Sequence, residues 1–334
     1  MSIIKTLLAC VFLLFVLNTS NAQQTYAEKL GFPKGAKVLI LHVDDGGMSL
    51  DSNEGVIQAM EKGVANSVSV MMPCPWVPGF VHYLKQHPKV DAGLHLTLTS
   101  EWTDYRWAPL SGKKATPGLV DNEGAFWPSV EEVVKNAKSD EVEMEIRSQL
   151  ERARTMGFEP THMDSHMGTL FATPEFLQRY IKVGIENKIP VMFPGGHNTM
   201  IGKQMMASAE FLNQLTQAGQ MIWSAGLPVL DDLHNASYEW KYPTDKNISD
   251  AALQKFSTSQ YIKTIGELKP GLTMVIMHCT APTEVFQHIT NSGIIRKGDL
   301  LAMQDPAFKK FLRDEGIILT TWREVMERRG KAEQ

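Results

Sequence analysis

The stretch "KVLILHVDDGGMS", residues 37–49, passes from β-branched and apolar residues straight into two adjacent carboxylates and two glycines. Its first part reads as a strand over residues 38–43, apolar on both faces as strands are when helices cover both sides of a parallel sheet. Asp44 and Asp45 then fall at the C-terminal end of that strand, although neighbouring negative charges repel.

Outward from this point the pattern repeats. Strand-like runs at residues 67–72, 91–97, 161–165, 190–193, 228–232, 273–278 and 316–321 alternate with helix-like segments at 53–62, 78–86, 140–156, 174–187, 208–218, 250–268 and 306–315, and a last one at 322–329 closes the chain. In "SDEVEMEIRSQLERARTMG" Ser139 is placed to cap, Val142, Ile146 and Leu150 share a face, and Gly157 stands where a helix should stop. Strands each followed by a helix predict an α/β fold, a TIM-like (β/α) barrel of seven to eight strands. No repeat, low-complexity tract or linker divides residues 23–334, so a single domain is expected. The connection at residues 100–129 lacks helical periodicity and carries Trp102, Trp107, Phe126 and Trp127, rings that either stack on a sugar or pack the loop onto the barrel.

A chain of 334 residues that is 43% hydrophobic can bury a substantial core, and a formal charge of −4 with scattered basic residues gives no footprint for nucleic acid. Residues 1–22 read as a signal peptide: Lys5 precedes an apolar run from Leu7 to Leu17, and Ser20-Asn21-Ala22 offers a small-x-small cleavage site. The run falls short of the ~20 residues of a membrane span. The mature chain is therefore expected to be exported, periplasmic or secreted, with no stable membrane span. Cleavage removes Cys10 and leaves Cys74 and Cys279, read as two buried small residues.

On the barrel frame the polar residues converge. Asp44 and Asp45 end the first strand, His95 lies late in the third, "HMDSH" at 162–166 ends the fourth and His278 ends the seventh. The C-terminal strand ends of such barrels carry the chemistry. Singly, each of these residues also fits a structural role, as a turn former or a hydrogen-bonded core histidine. A straight strand would hold His162 and His166 ~13 Å apart, too far to share an ion bound at ~2.0–2.1 Å. His166, nearer the strand end, is the better ligand, and His162 and Asp164 become candidates for orienting ligands or water. Successive side chains on a strand point in opposite directions, so one of the two carboxylates can neutralise a cation while the other faces substrate. An Asp, His, His set with open positions for water is the pattern of a catalytic metal site.

These motifs resemble the YdjC-like (ChbG-type) carbohydrate deacetylases, related in chemistry to the polysaccharide deacetylases. The resemblance rests on "VDDGGMSLDSNEGVIQAM", "GLHLTLT", "PTHMDSH" and "MVIMHC", which occur in family order. It implies Asp45, His95 and His166 as metal ligands, Asp44 as general base, His278 as acid or transition-state stabiliser, and removal of an acetyl group from an N-acetylated sugar or oligosaccharide. One divalent ion is expected, zinc or magnesium, with manganese also compatible with the ligand types. The chain departs from the family pattern at Gly46, at Met167-Gly168-Thr169 and at Cys279-Thr280-Ala281-Pro282, and its "VMFPGGHN" lacks an arginine common there. Substrate contacts are expected from Trp102 and Trp107 and from Asp232 and Trp240 in "DDLHNASYEWKYP". An esterase or amidase acting on another acylated substrate, and a glycan-binding barrel without catalysis, are the competing readings.

Overall fold

The computed structural model describes residues 24–235, 237–243 and 248–332; the proposed signal peptide lies outside them. Among the described residues the strands are β1 Lys37–Gly46, β2 Ser67–Val70, β3 Ala92–Leu96, β4 Met163–Ser165, β5 Asp232–His234, β6 Gly271–Met277 and β7 Ile318–Leu319. The helices are α1 Tyr26–Lys29, α2 Leu50–Glu61, α3 Val77–Gln86, α4 Val130–Asn136, α5 Ser139–Thr155, α6 Pro174–Asn187, α7 Thr199–Gln204, α8 Ala209–Ser224, α9 Asp250–Gly266, α10 Gly293–Gln304, α11 Pro306–Asp314 and α12 Trp322–Lys331.

The sheet is parallel but is not the closed barrel expected from the strand count. Its order is β4-β3-β2-β1-β6-β5, an open sheet curled into a half-barrel. Two observations overturn closure. First, β6 pairs directly with β1 along its length, from Lys37↔Gly271 to Val43↔Met277, while β7 pairs only Val38 and Leu39 on the edge of β1 that continues into β2. The last strand therefore does not lie between its predecessor and the first. Second, the 190–193 run makes no ladder: the gap between β4 and β5 is crossed by isolated bridges at Met163↔Val191 and Pro194↔Leu230. Pro190 and Pro194 lack the N–H that a ladder requires, which is why an apolar run there does not become a strand.

The strands also differ from the expectation of two apolar faces. Leu39, Leu41 and Val43 join the core packed beneath the helices. The opposite face begins with Val38 and Ile40, which pack with Leu272, Met274 and Trp322, and continues as His42 and Asp44, both buried. Period-2 alternation thus runs an apolar floor up into a buried polar column beneath the site. The helix starting at Ser139 is capped from one residue earlier than expected: the Glu141 carboxylate accepts from the Lys138 backbone N–H at 2.7 Å. The 100–129 loop is packed down by its own side chains, with Trp127 Nε1 donating to Gly118 O at 2.8 Å and Arg106 Nη2 to Asp121 at 2.6 Å. Cys74 and Cys279 are both free and buried.

Candidate metal centre

A bulge in β1 delivers both carboxylates. The register with β2 runs Val43↔Val68 and then Gly46↔Val70, so one residue of β1 is extra where Asp44 and Asp45 stand. Asp45 takes a φ of 68°, a left-handed conformation few non-glycine residues adopt. A regular strand would splay the two side chains to opposite faces. Here both turn toward His95, whose Nε2 lies 3.7 Å from Asp44 Oδ2 and 3.4 Å from Asp45 Oδ1. The Gly47 N–H donates to Asn53 Oδ1 of α2 at 2.7 Å, fixing the turn that follows.

Three donor atoms converge in this pocket. Asp45 Oδ1 lies 3.4 Å from His95 Nε2 and 3.6 Å from His166 Nδ1, and the two ring nitrogens are 3.2 Å apart. Asp45 Oδ1 is buried and has no hydrogen-bond partner, which is costly unless something else satisfies it. A tetrahedral ion with bonds of ~2.0–2.1 Å needs ligand atoms ~3.3–3.4 Å apart. The three separations bracket that value. The cluster therefore fits a single divalent cation.

Each of the three residues is held from behind. His95 Nδ1–H donates to Asp164 Oδ1 at 2.6 Å, the carboxylate–histidine arrangement that fixes a ligand's tautomer. His166 Nε2–H donates to Glu101 Oε1 at 3.0 Å, and Asp45 Oδ2 accepts from Arg296 Nη1 at 2.6 Å. Burial raises the Asp45 carboxyl, but Arg296 and the neighbouring histidines outweigh it and hold the group well below its ordinary range. Burial pulls His166 down, and the carboxylates of Glu101 and Asp45 reverse this and lift it to about 10. The sequence reading missed Glu101, Arg296 and His42. Glu101 directly follows "GLHLTLTS", a position that signalled it; Arg296 sits on α10, a helix the sequence pattern did not disclose.

The remaining candidates divide. His278 follows β6 with Nε2 3.8 Å from Asp44 Oδ2, its ring 4.7 Å from that of Tyr238, and its backbone N–H on Asp299 Oδ2 at 2.9 Å. Burial pulls it down to about 4 despite nearby Asp45, so the imidazole is neutral near pH 7. His162 is fully buried under the site, stacked on Trp322 with ring centroids 5.3 Å apart. Asp232 is also fully buried and accepts from the Met200 and Ile201 N–H groups at 2.8 and 3.2 Å. It holds the start of α7 through both of its oxygens. Trp107 is buried with Nε1 donating to Thr99 O at 2.9 Å, which anchors its loop. Trp102 stands edge-on to it at 5.5 Å, and Trp240 edge-on to Tyr261 at 4.7 Å; both are half-buried.

A curled parallel half-barrel with an Asp, His, His cluster at its C-terminal strand ends defines a class of metal-binding α/β proteins. Residues 38–314 match the model of the YdjC-like protein family, and the chain belongs to that family. It is 28% identical over 300 residues to a carbohydrate deacetylase of Thermus thermophilus, covering 90% of this chain and 97% of that protein. It is 31% identical over 133 residues to a chitooligosaccharide deacetylase of Yersinia enterocolitica, covering 39% of this chain and 49% of that protein. The crystal structure of a candidate cellobiose-phosphate cleavage protein from Enterococcus faecalis shares the fold, with a TM-score of 0.68 and 20% identity over 87% of this chain and 99% of that one.

Proposed function

We propose that this protein is a metal-dependent hydrolase that removes acetyl groups from N-acetylated sugars or oligosaccharides. The observation that carries the reading is the unsatisfied Asp45 Oδ1 at tetrahedral-edge distances from His95 and His166, with a second carboxylate, Asp44, beside them. A divalent cation held by Asp45, His95 and His166 would supply Lewis acidity to an acyl carbonyl and to a water molecule. Mixed carboxylate and imidazole donors suit zinc and other first-row ions. The names of the curated relatives supply the substrate class.

Asp44 is suited to the base role because its two oxygens are differently engaged. Oδ1 is 3.1 Å from His42 Nε2 and 3.5 Å from Ser69 Oγ, while Oδ2 faces the cluster and His278. The anchored oxygen fixes the side chain and leaves the other to take a proton from water. His278 is neutral, so it acts as an acid toward the leaving amine only after gaining a proton, and Asp44 Oδ2 is its neighbour at 3.8 Å. Half-buried Trp102 and Trp240 remain the candidates for stacking on a sugar ring. Export of a single domain from residue 23 belongs to the same proposal, with N-terminal sequencing of the mature protein as its check.

The test is acetate release from N-acetylglucosamine oligomers and O-acetylated sugars, using metal-stripped protein, zinc- or magnesium-reloaded protein, and Asp44→Asn. Metal-dependent release from the N-acetyl substrates, lost in an Asp44→Asn protein that still binds zinc, is expected. Release only from O-acetyl substrates would make the protein an esterase. No release from either class would refute the deacetylase assignment.

A further inference from the structure

Beneath the metal cluster lies a fully buried histidine that is not among the proposed ligands and whose contacts run beyond Asp44. His42 stands two residues before Asp44 on the same face of β1, in register with Ser67 of β2. Its Nε2 is 2.8 Å from Asp164 Oδ2, 3.1 Å from Asp44 Oδ1 and 3.0 Å from Ser69 Oγ, and its Nδ1 is 2.9 Å from Ser67 Oγ. Two carboxylate oxygens this close to one ring nitrogen can only accept, so Nε2 carries the proton. The edge of the ring packs against His162, with centroids 5.0 Å apart, and His162 is itself stacked on Trp322. Nothing lets the ring turn without breaking several contacts at once.

We propose that His42 is a positioning residue of the metal centre. Its Nε2, hydrogen-bonded to Ser69 Oγ and within ion-pair range of both Asp44 and Asp164, ties the carboxylate proposed as base to the carboxylate that orients ligand His95. The chain of contacts is Asp44, His42, Asp164, His95, each link within hydrogen-bonding or close ion-pair range. Asp164 thus faces two histidines, hydrogen-bonded to His95 through Oδ1 and paired by charge with His42 through Oδ2.

A second metal site formed by His42, His162 and Asp164 is the competing reading of the same atoms, and the distances reject it. His42 Nε2 and Asp164 Oδ2 are 2.8 Å apart, closer than the ~3.3–3.4 Å that two ligands of one tetrahedral ion keep, and His162 Nε2 stands off at 3.9 Å from the same oxygen. The protonation behaviour agrees. Burial pulls His42 down, yet Asp164 and Asp44 reverse this and lift it to about 9, so a positive charge sits between the two carboxylates at neutral pH.

The base assignment for Asp44 rests on the deacetylase reading, whereas the hold on His95 does not, so the experiment reads both. In His42→Leu the donor is lost. In His42→Gln an amide N–H sits near the position of Nε2. Zinc affinity is measured by competition with a chromophoric chelator, kcat and KM by acetate release, and folding by circular dichroism. His42→Leu should bind zinc about 10-fold more weakly and lose about 10- to 100-fold in kcat with KM within twofold of wild type. His42→Gln should recover most of both. A folded His42→Leu with unchanged zinc affinity, or a folded His42→Gln as impaired as His42→Leu, would overturn the proposal. Should His42→Leu not fold, His42→Gln decides: near-wild-type zinc affinity supports the role, and its collapse in folded protein refutes it. If wild-type protein releases no acetate from any substrate, the deacetylase reading fails and the zinc titrations still decide the hold on His95.

Discussion

Arg296 and Asp45 form a buried ion pair whose energetics can be worked from the structure. Nη1 and Oδ2 are 2.6 Å apart, and the two residues are 4% and 1% exposed. At an effective dielectric of about 20 the attraction is about 6 kcal/mol, much of it offset by desolvation of both charges. Removing one partner is the costly change, typically about 3–5 kcal/mol, because the other charge stays buried alone. Arg296→Met keeps most of the stem's volume and removes the cation. In EDTA it should lower the free energy of unfolding by about 3–5 kcal/mol, with Asp45→Asn also destabilising. The double variant Asp45→Asn/Arg296→Met leaves no orphan charge, so a double-mutant cycle should give a coupling of about 2 kcal/mol or more. Urea unfolding followed by fluorescence of the seven tryptophans measures all four proteins. With saturating zinc the cost of Arg296→Met should shrink, since a cation then neutralises Asp45. A loss below about 1 kcal/mol in EDTA, or a coupling near zero, would show that Arg296 does not carry the charge balance of this centre.

Other outcomes follow from single contacts. Glu101→Gln removes the charged acceptor behind His166 and should weaken zinc binding about 10-fold, read by the same chelator competition; unchanged affinity would sever Glu101 from the ligand set. At Gly55 an added Cβ would lie 2.3 Å from Thr280 Cα and 2.6 Å from Cys279 O, both backbone atoms next to His278. Gly55→Ala should therefore cost about 1–3 kcal/mol in thermal unfolding and reduce kcat. Glu143 joins α5 to α6 through Arg179 and Lys182 and pairs with Arg147 on its own helix, and although burial opposes it, Lys182 and Arg147 hold its carboxyl down at about 2. Because its folded value lies below the ordinary one of 4.5, its contribution is present above about pH 4.5 and lost as pH falls toward 2. After allowance for solvent screening, Glu143→Gln should cost about 1 kcal/mol at pH 7 and nothing near pH 2, measured by urea titration at both.

Much of the candidate site was legible because its residues are chemically out of place. Asp44-Asp45, His95, His166 and His278 interrupt apolar strands, and a polar residue in an apolar run stands out without any coordinates. The helices with clean amphipathic periodicity were equally readable; Pro174–Asn187 is found as expected, with Thr173 capping Phe176 N–H and Pro174 in the first turn. Long-range pairing was not readable. The count of strands suggested a cycle, but only the register of β6 and β7 along β1 shows that the sheet stays open.

The residues that hold the cluster escaped for the same reason. Arg296 lies on α10, which "NSGIIRKGDLLAMQ" disguises with two glycines; a Cβ on Gly298 would meet Ser257 Oγ at 2.5 Å, so close packing on α9 overrides helix propensity. The sequence by itself determined which groups are available for chemistry and that strands alternate with helices, since burial and periodicity are local properties of the chain. The tertiary structure alone decided that a bulge turns Asp44 and Asp45 to one side, that Asp164 lies between His42 and His95, and that Arg296 reaches Asp45 across 251 residues. Those relations depend on which strands and helices become neighbours, and no local pattern encodes that.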